Sequence, residues 1–209
     1  MKSKNTILLA TQNKGKKYEI LNLFSDLNIK ILSLDDFPEI DDITESGETL
    51  LENSLIKSRE AYRITGLPSL ADDSGLEVDL LNGAPGVYSA RYAGENVTYD
   101  ENVNKLLLKL IKYENEEIRT AKFKTVISFV NGEMELTEFG EVEGYITTSK
   151  RGSSGFGYDP IFRPKGFNLT FAEMSEMQKA KISHRSVALN KMKTKLKKIY
   201  NSKGVNIDK

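Results

Sequence analysis

Two adjacent aspartates in the segment Asp72-Asp73-Ser74-Gly75 are the first residues of this sequence whose types suit chemistry. Short apolar pieces flank the segment, so it is predicted to be a turn at the end of a strand. Neighbouring carboxylates are costly to bring together unless a cation or hydrogen bonds compensate them. Mg²⁺ is the natural cation, because one or two carboxylates commonly hold it together with water and substrate phosphates. The alternative is an Asp-rich turn whose side chains cap backbone amides.

A second polar segment follows the apolar run from Thr6 to Ala10, which predicts a buried strand. A helical pattern comes next, so the segment is a strand-to-helix loop, where backbone N–H groups and the helix dipole favour an anion such as phosphate. It is not the P-loop pattern, which needs two glycines at fixed spacing. The alternative is a polar capping loop with solvated lysines. The segment consists of Thr11, Gln12, Asn13, Lys14, Gly15 and Lys16.

A third segment, from Gly155 to Pro160, places an aromatic residue between two glycines. Such a compact loop suits a flat ring that stacks on a base or a ribose. Asp159 precedes Pro160, which favours an extended backbone at the aspartate. The alternative is a tight connection with an aromatic core residue. The candidate site residues of this loop are Phe156, Gly157, Tyr158 and Asp159.

The fourth segment contains His184, the only histidine in the chain, followed by Arg185. A single histidine is more often structural than catalytic, and without a second one it forms no histidine metal site. Beside Arg185, however, it supplies two planar donor groups, and arginine in particular suits base edges and phosphates. Lys179 lies about one helical turn earlier and is a candidate to join them.

The elements that must position these segments alternate between helices and strands along 209 residues, enough for one substantial core. Helical spacing predicts helices over 16–27 and 48–64, one that opens at Thr98, a short one capped by Ser175 to Gln178, and a last one to about Tyr200. Alternation over 121–129, followed by Asn131-Gly132, predicts a hairpin. The sequence therefore indicates a mixed α/β chain, residues 1–209, with an extended antiparallel section between terminal helices.

Composition narrows the classes of function. Thirty basic residues balance thirty acidic ones, so nucleic-acid binding is the weakest interpretation and phosphate binding needs a local site. The absence of cysteine excludes disulfides, thiolate zinc sites and cysteine nucleophiles, and it fits an intracellular protein. The apolar run Ile7 to Ala10 is too short for a signal core or a membrane span, so we expect a cytoplasmic protein.

In combination, the four segments resemble the inosine triphosphate pyrophosphatase family. The resemblance runs nearly end to end, and its most specific stretches are Ala71 to Gly94 and Gly155 to Phe162. It implies cleavage of deaminated purine nucleoside triphosphates (dITP, ITP, XTP) between the α- and β-phosphates, giving the monophosphate and pyrophosphate with Mg²⁺ as cofactor. It also implies an elongated, twisted mixed α/β sheet with flanking helices, two lobes with the active-site cleft between them, and a homodimer.

The resemblance implies roles for residues that match the family. Asp73 matches the catalytic carboxylate that binds the metal and helps to activate water, and Ser74 matches a substrate contact. Lys57, on the predicted second helix, matches a lysine near the phosphates. Thr11 to Lys16 match the loop that holds the triphosphate. The residues that match positions around the base and phosphates are Phe156, Gly157, Tyr158, Asp159, Lys179, His184 and Arg185.

Two positions match the family less directly than the others. Gln12 stands where many members of the family have glycine, although Asn13 and the lysines of the loop remain. Glu45, in the irregular acidic stretch, is favoured as the second metal ligand by its place in the matching segment. Asp42 and Glu48 lie near it and remain alternatives.

The sequence also predicts which bases are accepted. Inosine and xanthine present a 6-keto acceptor where adenine presents an amino donor, so donors from His184 and Arg185 favour the keto base. One buried donor left unpaired costs about 1–3 kcal/mol, roughly a tenfold to hundredfold discrimination. The alternatives are a related pyrophosphatase acting on modified pyrimidines, dUTP or dTTP, and a nucleotide-binding sensor that has lost catalysis.

Overall fold

The computed structural model describes residues 5–38, 40, 43–202, 204 and 207. By its internal contacts the chain divides into two compact units. The first unit takes in the described residues up to Asp73, then Thr125–Gly140, and those from Arg185 onward. The second unit comprises Ser74–Lys124 and Glu141–His184.

Five helices and seven strands are assigned within the described residues. The helices are α1 (Lys14–Leu23), α2 (Leu50–Thr65), α3 (Tyr99–Lys109), α4 (Glu176–Ile182) and α5 (His184–Ser202). The strands are β1 (Thr6–Leu9), β2 (Lys30–Ser33), β3 (Ser69–Val78), β4 (Pro85–Gly86), β5 (Thr120–Val130), β6 (Glu135–Ile146) and β7 (Phe162–Pro164). The strand order is β2-β1-β3-β5-β6-β7, with β4 paired to β3. The mixed α/β class is confirmed, whereas the cleft between two lobes stays a prediction.

In the first unit, β1 pairs in parallel with both β2 and β3. Side chains of a strand alternate between the two faces of a sheet, and the two faces here have different cores. One core includes Ile7, Leu9, Leu70, Ile127 and Phe129 of the strands, with Ile20 of α1 and Ala188, Leu189, Met192 and Leu196 of α5. The other core contains Leu8 of β1, Ala71 of β3 and Ala61 of α2, together with Ala10 just after β1, Leu34 of a short 3₁₀ turn and Ile40.

In the second unit, β4 pairs antiparallel with β3, and β7 pairs antiparallel with β6. Arg119 is buried, and its guanidinium donates hydrogen bonds to the carbonyls of Leu110, Tyr113 and Thr147. Arg119 thereby links the segment after α3, which contains Leu110 and Tyr113, to Thr147 just after the end of β6. The core of this unit includes Leu76, Val78, Leu106, Leu110, Phe162 and Phe171.

Local capping explains where three helices begin. Thr98 with Glu101 and Ser175 with Gln178 form reciprocal capping boxes, as the sequence predicts. A third box, Thr49 with Glu52, starts α2. That helix ends at Gly66, whose left-handed φ of 63° suits glycine.

Two predicted elements are wrong in their limits. The segment Asp72 to Gly75 is not a turn, because β3 runs through it without a break and pairs with neighbouring strands. Helix α1 ends at Leu23 and does not continue to Leu27. Phe24 and Leu27 are nevertheless buried in the core, so their apolar character reflects packing beyond the helix. Within the part of the chain that the structure describes, no helix has both the length and the apolar character needed to cross a membrane.

Candidate active site

Asp72 and Asp73 point to opposite faces of the first unit's sheet. Leu70 belongs to the core formed with α1 and α5, whereas Ala71 belongs to the core formed with α2. Since strand side chains alternate with a period of two, Asp72 shares the face of Leu70, and Asp73 shares the face of Ala71. The two carboxylates therefore have different partners, although they are adjacent in sequence.

On the α2 face, Lys57 brings two acidic side chains together. Its ammonium lies 2.7 Å from Oε1 of Glu45 and 3.5 Å from Oδ1 of Asp73. Thr125 of β5 donates a hydrogen bond of 2.9 Å to the backbone carbonyl of Asp73, which fixes the strand at that residue. Lys57, Glu45 and Asp73, all predicted for one site, thus meet in the first unit.

The burial of Asp73 favours a bound cation beside its carboxylate. Burial raises the pKa of Asp73, and the nearby charges of Glu45 and Asp72 add to the effect, whereas Lys57 and Lys16 oppose it. Burial alone would lower the pKa of Lys57, but Asp73, Asp72 and Glu45 together raise it. Burial is the largest cause of the raised pKa of Asp73, and a cation bound there would offset the cost of keeping this carboxylate charged.

One oxygen of Asp73 is available for such a cation. Its Oδ2 is buried and has no hydrogen-bond partner among the described residues. No group of three acidic, histidine or cysteine side chains suited to a metal occurs in the described ranges. Two carboxylates, Asp73 and Glu45, match Mg²⁺, which usually takes the rest of its ligands from water and substrate phosphates. The alternatives differ: Glu48 is exposed, and Asp42 lies outside the described residues.

On the opposite face, Asp72 is fully buried between two cations. Its Oδ2 lies 3.1 Å from the ammonium of Lys16 and 3.2 Å from Nε of Arg185. Burial favours the neutral acid, but Lys16, Arg185 and Lys57 outweigh it and hold the pKa of Asp72 far below its usual range. Arg185 also forms an ion pair with Glu19 of α1. Asp72 therefore orients a lysine and an arginine.

The loop before α1 has the predicted strand-to-helix geometry. Asn13 is the N-cap, and its Oδ1 accepts the backbone N–H of Lys16 at 3.1 Å. Thr11 accepts the N–H of Asn13 at 3.3 Å. Gln12 and Lys14 are exposed, whereas Lys16 turns inward to Asp72. Binding of phosphate by this loop stays a prediction.

In the second unit, Asp159 organises the glycine-rich loop. Its Oδ2 accepts the backbone N–H of Phe156 at 2.8 Å and lies 2.7 Å from the ammonium of Lys179. Gly155 has a φ of 77°, and a Cβ there would lie 2.1 Å from the same carboxylate oxygen, so the position requires glycine. The expected extended backbone at Asp159 is wrong, because Asp159–Ile161 form a short 3₁₀ turn.

The aromatic residues of this loop have different surroundings. Tyr158 is buried, and its hydroxyl donates to the carbonyl of Ser89 at 3.0 Å, so it packs as a core residue. Phe156 is half-buried; the ammonium of Lys179 lies 4.9 Å from its ring centroid, and the ring of Tyr99 lies 6.1 Å away. Phe156 is thus the ring of this loop with surface left for a ligand. Gly157, beside it, has a left-handed φ of 62°.

The remaining candidates lie at the end of the second unit and within β3. The ring of His184 stacks on Phe123, with centroids 4.7 Å apart and planes 7° apart. Arg185, the next residue, is committed to Asp72 and Glu19. Ser74 is half-buried and follows Asp73 in the strand. The predicted donor roles of His184 and Arg185 toward a base stay predictions.

Two residues of this region were missed by the sequence reasoning. Glu19 lies three positions after Lys16, and Asn53 lies four positions before Lys57. These spacings place each on the same helix face as its lysine. Searching each predicted helix for polar residues one turn from a candidate lysine would have found both.

The sequence and the fold match known proteins over nearly the whole chain. A sequence model of the Ham1 family matches residues 7–195. The dITP/XTP pyrophosphatase of Vibrio cholerae is 44% identical over 189 residues, covering 89% of this chain and 94% of that protein. The corresponding protein of Thermoanaerobacter sp. is 47% identical, covering 90% and 94%. The solved structure of a HAM1 protein from Coxiella burnetii has a TM-score of 0.84 and 43% identity, covering 92% of this chain and 98% of that one. The chain belongs to the Ham1 family.

Proposed function

We propose that this protein hydrolyses the deaminated purine nucleoside triphosphates dITP, ITP and XTP to the monophosphate and pyrophosphate. The observation that carries the proposal is the grouping of Asp73, Glu45 and Lys57 on one sheet face, with one buried carboxylate oxygen of Asp73 open to a ligand. The relatives in Vibrio cholerae and Thermoanaerobacter sp. are named dITP/XTP pyrophosphatases, which supports this substrate class.

We assign the metal as Mg²⁺, held by Asp73 and Glu45. When bound, it would neutralise charge on the phosphate oxygens and on the leaving pyrophosphate. A divalent cation there would offset the burial that raises the pKa of Asp73 in the free protein. Lys57 already contacts both carboxylates, so its positive charge would also act on a phosphate group bound beside them.

Each side chain that is proposed to lie near the phosphates has a separate role. Besides serving as a metal ligand, the Asp73 carboxylate accepts a hydrogen bond from the attacking water and orients it toward the α-phosphorus. Lys57 and Lys16 hold phosphate oxygens by charge. Asp72, locked between Lys16 and Arg185, keeps the lysine in place and takes no proton in the reaction, because its ion pairs hold it ionised.

The base end of the substrate is assigned to Phe156, His184 and Arg185. Phe156 stacks on the purine, and the Lys179–Asp159 ion pair keeps its loop in shape. Donors from His184 and Arg185 favour the 6-keto group of hypoxanthine and xanthine. A 6-amino group would leave such a donor unpaired, which disfavours ATP.

The proposal includes a homodimer that works in the cytoplasm. The homodimer rests on the resemblance, and the cytoplasmic location rests on the composition without cysteine. Sedimentation equilibrium of the purified protein tests the first: a mass near twice 23.5 kDa is expected, and a monomer at all concentrations would contradict it.

A panel of nucleotides with identified products tests the proposed function. ITP, dITP, XTP, GTP, ATP, dUTP and dTTP are each incubated with protein and Mg²⁺, and phosphorus NMR distinguishes pyrophosphate from orthophosphate. We expect pyrophosphate from ITP, dITP and XTP, with kcat/KM at least tenfold above that for ATP and GTP. A preference for dUTP, dTTP or ATP, or release of orthophosphate, would overturn the assignment. Binding without turnover would indicate a sensor.

A further inference from the structure

The acidic segment that carries Glu45 is tied to helix α2 by side chains of the helix's first turn. Asn53 Oδ1 accepts the backbone N–H of Gly47 at 2.7 Å. Glu52 accepts the N–H groups of Glu48 at 2.7 Å and Thr49 at 3.0 Å. Glu45 itself ends on Lys57, one turn further along the same helix. The place of Glu45 is thus set from α2.

Among these three backbone hydrogen bonds, the one from Gly47 to Asn53 is closest along the chain to Glu45 and is the most buried. Asn53 is fully buried, and a Cβ on Gly47 would lie 2.8 Å from Asn53 Oδ1 and 2.6 Å from Cβ of Glu52. The backbone at Gly47 therefore approaches the helix more closely than any other residue type would permit. The φ of Gly47 is not in the left-handed region, so space is what requires glycine here.

The amide of Asn53 is not explained by the stability of α2 alone. Its Nδ2 is buried and lacks a hydrogen-bond partner among the residues described, which is unfavourable for folding. Its Oδ1 is used on the loop, and the donor half gains nothing from the protein. The role of Asn53 is better explained by the hydrogen bond that its Oδ1 accepts from Gly47.

From these contacts we propose that Asn53 is a positioning residue for Glu45: by holding Gly47, it fixes the second carboxylate of the metal site. The inference deepens the proposed function and rests on it. Residues that orient metal ligands without touching the metal commonly change metal affinity about 10–100-fold when they are replaced. Replacement of Asn53 is therefore expected to raise the Mg²⁺ concentration needed for half-maximal hydrolysis. The rate at saturating Mg²⁺ should be largely preserved.

The test compares Asn53→Ala and Gly47→Ala with Ser58→Ala. The first two break the same contact from its two sides. Ser58 is the control, because it is a buried residue of α2 whose hydroxyl donates to the carbonyls of Ser54 and Leu55 and accepts from Ser128. Hydrogen exchange of the Gly47 amide is measured in the free protein, and the Mg²⁺ concentration for half-maximal ITP hydrolysis is measured beside kcat.

We expect Asn53→Ala and Gly47→Ala to speed hydrogen exchange of the backbone amide at position 47. Both should also raise the Mg²⁺ concentration for half-maximal hydrolysis about tenfold, with kcat within about threefold of wild type. Ser58→Ala should leave both unchanged. Unchanged exchange in Asn53→Ala, or faster exchange with an unchanged Mg²⁺ requirement, would overturn the inference. A wild-type protein without cation-dependent hydrolysis would instead refute the proposed function, and the exchange data would still report the contact.

Discussion

Asp72 and Asp73 are consecutive residues of one strand, yet Asp72 pairs with Lys16 and Arg185, whereas Asp73 lies beside Lys57 on the other face of the sheet. The alternation of a strand explains this division. The two aspartates therefore have different roles. Asp72 is held in ion pairs, whereas Asp73 has one oxygen that is open to a ligand. Substitution of each should therefore have a different effect.

Asp73→Asn is expected to lower kcat by roughly 10³-fold or more, because it removes a metal ligand and the acceptor that orients water. The free energy of unfolding should stay within about 1 kcal/mol of wild type, since a neutral amide costs less to bury than a carboxylate. Steady-state kinetics and urea unfolding measure the two quantities. Retained turnover would remove Asp73 from the central role.

Asp72→Asn is expected to act mainly on the fold. It leaves two cations, Lys16 and Arg185, without their buried counter-charge, and breaking a buried pair in this way typically costs about 3–5 kcal/mol. The ion pair between Arg185 and Glu19 remains, so the lower end of that range is expected. Urea unfolding measures the change. Equal stability of this variant and Asp73→Asn would contradict the division of roles.

Glu116 should give the second unit part of its stability in a pH-dependent way. Burial would raise the pKa of Glu116, but the backbone N–H of Thr148 and the guanidinium groups of Arg151 and Arg163 lower it overall. The folded state then binds fewer protons than the unfolded state in acid. Its contribution is therefore complete above the ordinary pKa of 4.5 and is lost as the pH falls below that value.

Glu116→Gln should thus be less stable than wild type by about 1–2 kcal/mol at pH 7, and the difference should shrink as the pH falls from 4.5 toward 3. Urea unfolding at several pH values provides the comparison. A stability difference between the two proteins that grows in acid would contradict the prediction, because it would require a raised pKa of Glu116 in the folded state.

Phe156→Ala should raise KM for ITP about 10–100-fold, because base stacking on an aromatic ring is worth about 1–3 kcal/mol. The value of kcat should change little, since the ring does not touch the phosphates in the proposed site. Phe139→Ala is a matched control: Phe139 is an exposed phenyl group on β6 in the first unit. Similar KM values for the two variants would exclude Phe156 from base binding.

Local patterns in the sequence predicted much of the fold. The capping boxes at Thr98 and Ser175 depend on residues within a few positions, so they are visible without tertiary structure. The strand through Asp72 and Asp73 was missed because polar residues inside a central strand resemble a turn. Only pairing with neighbouring strands shows that they are extended.

The grouping of candidate site residues was predicted more securely than their partners. Lys57, Glu45 and Asp73 were assigned together through the resemblance, and the structure brings them into contact. The ion pair between Arg185 and Asp72 joins residues 113 positions apart, so no local pattern predicts it. The position of Asn53 under the acidic segment likewise depends on the path of that loop.

The fate of the attacking water tests the central claim most directly. ITP is hydrolysed by the protein and Mg²⁺ in water enriched in ¹⁸O, and mass spectrometry locates the label in the products. Attack at the α-phosphorus, oriented by Asp73, puts one ¹⁸O atom into inosine monophosphate and none into pyrophosphate. Label in pyrophosphate, or labelled orthophosphate as the product, would contradict the account.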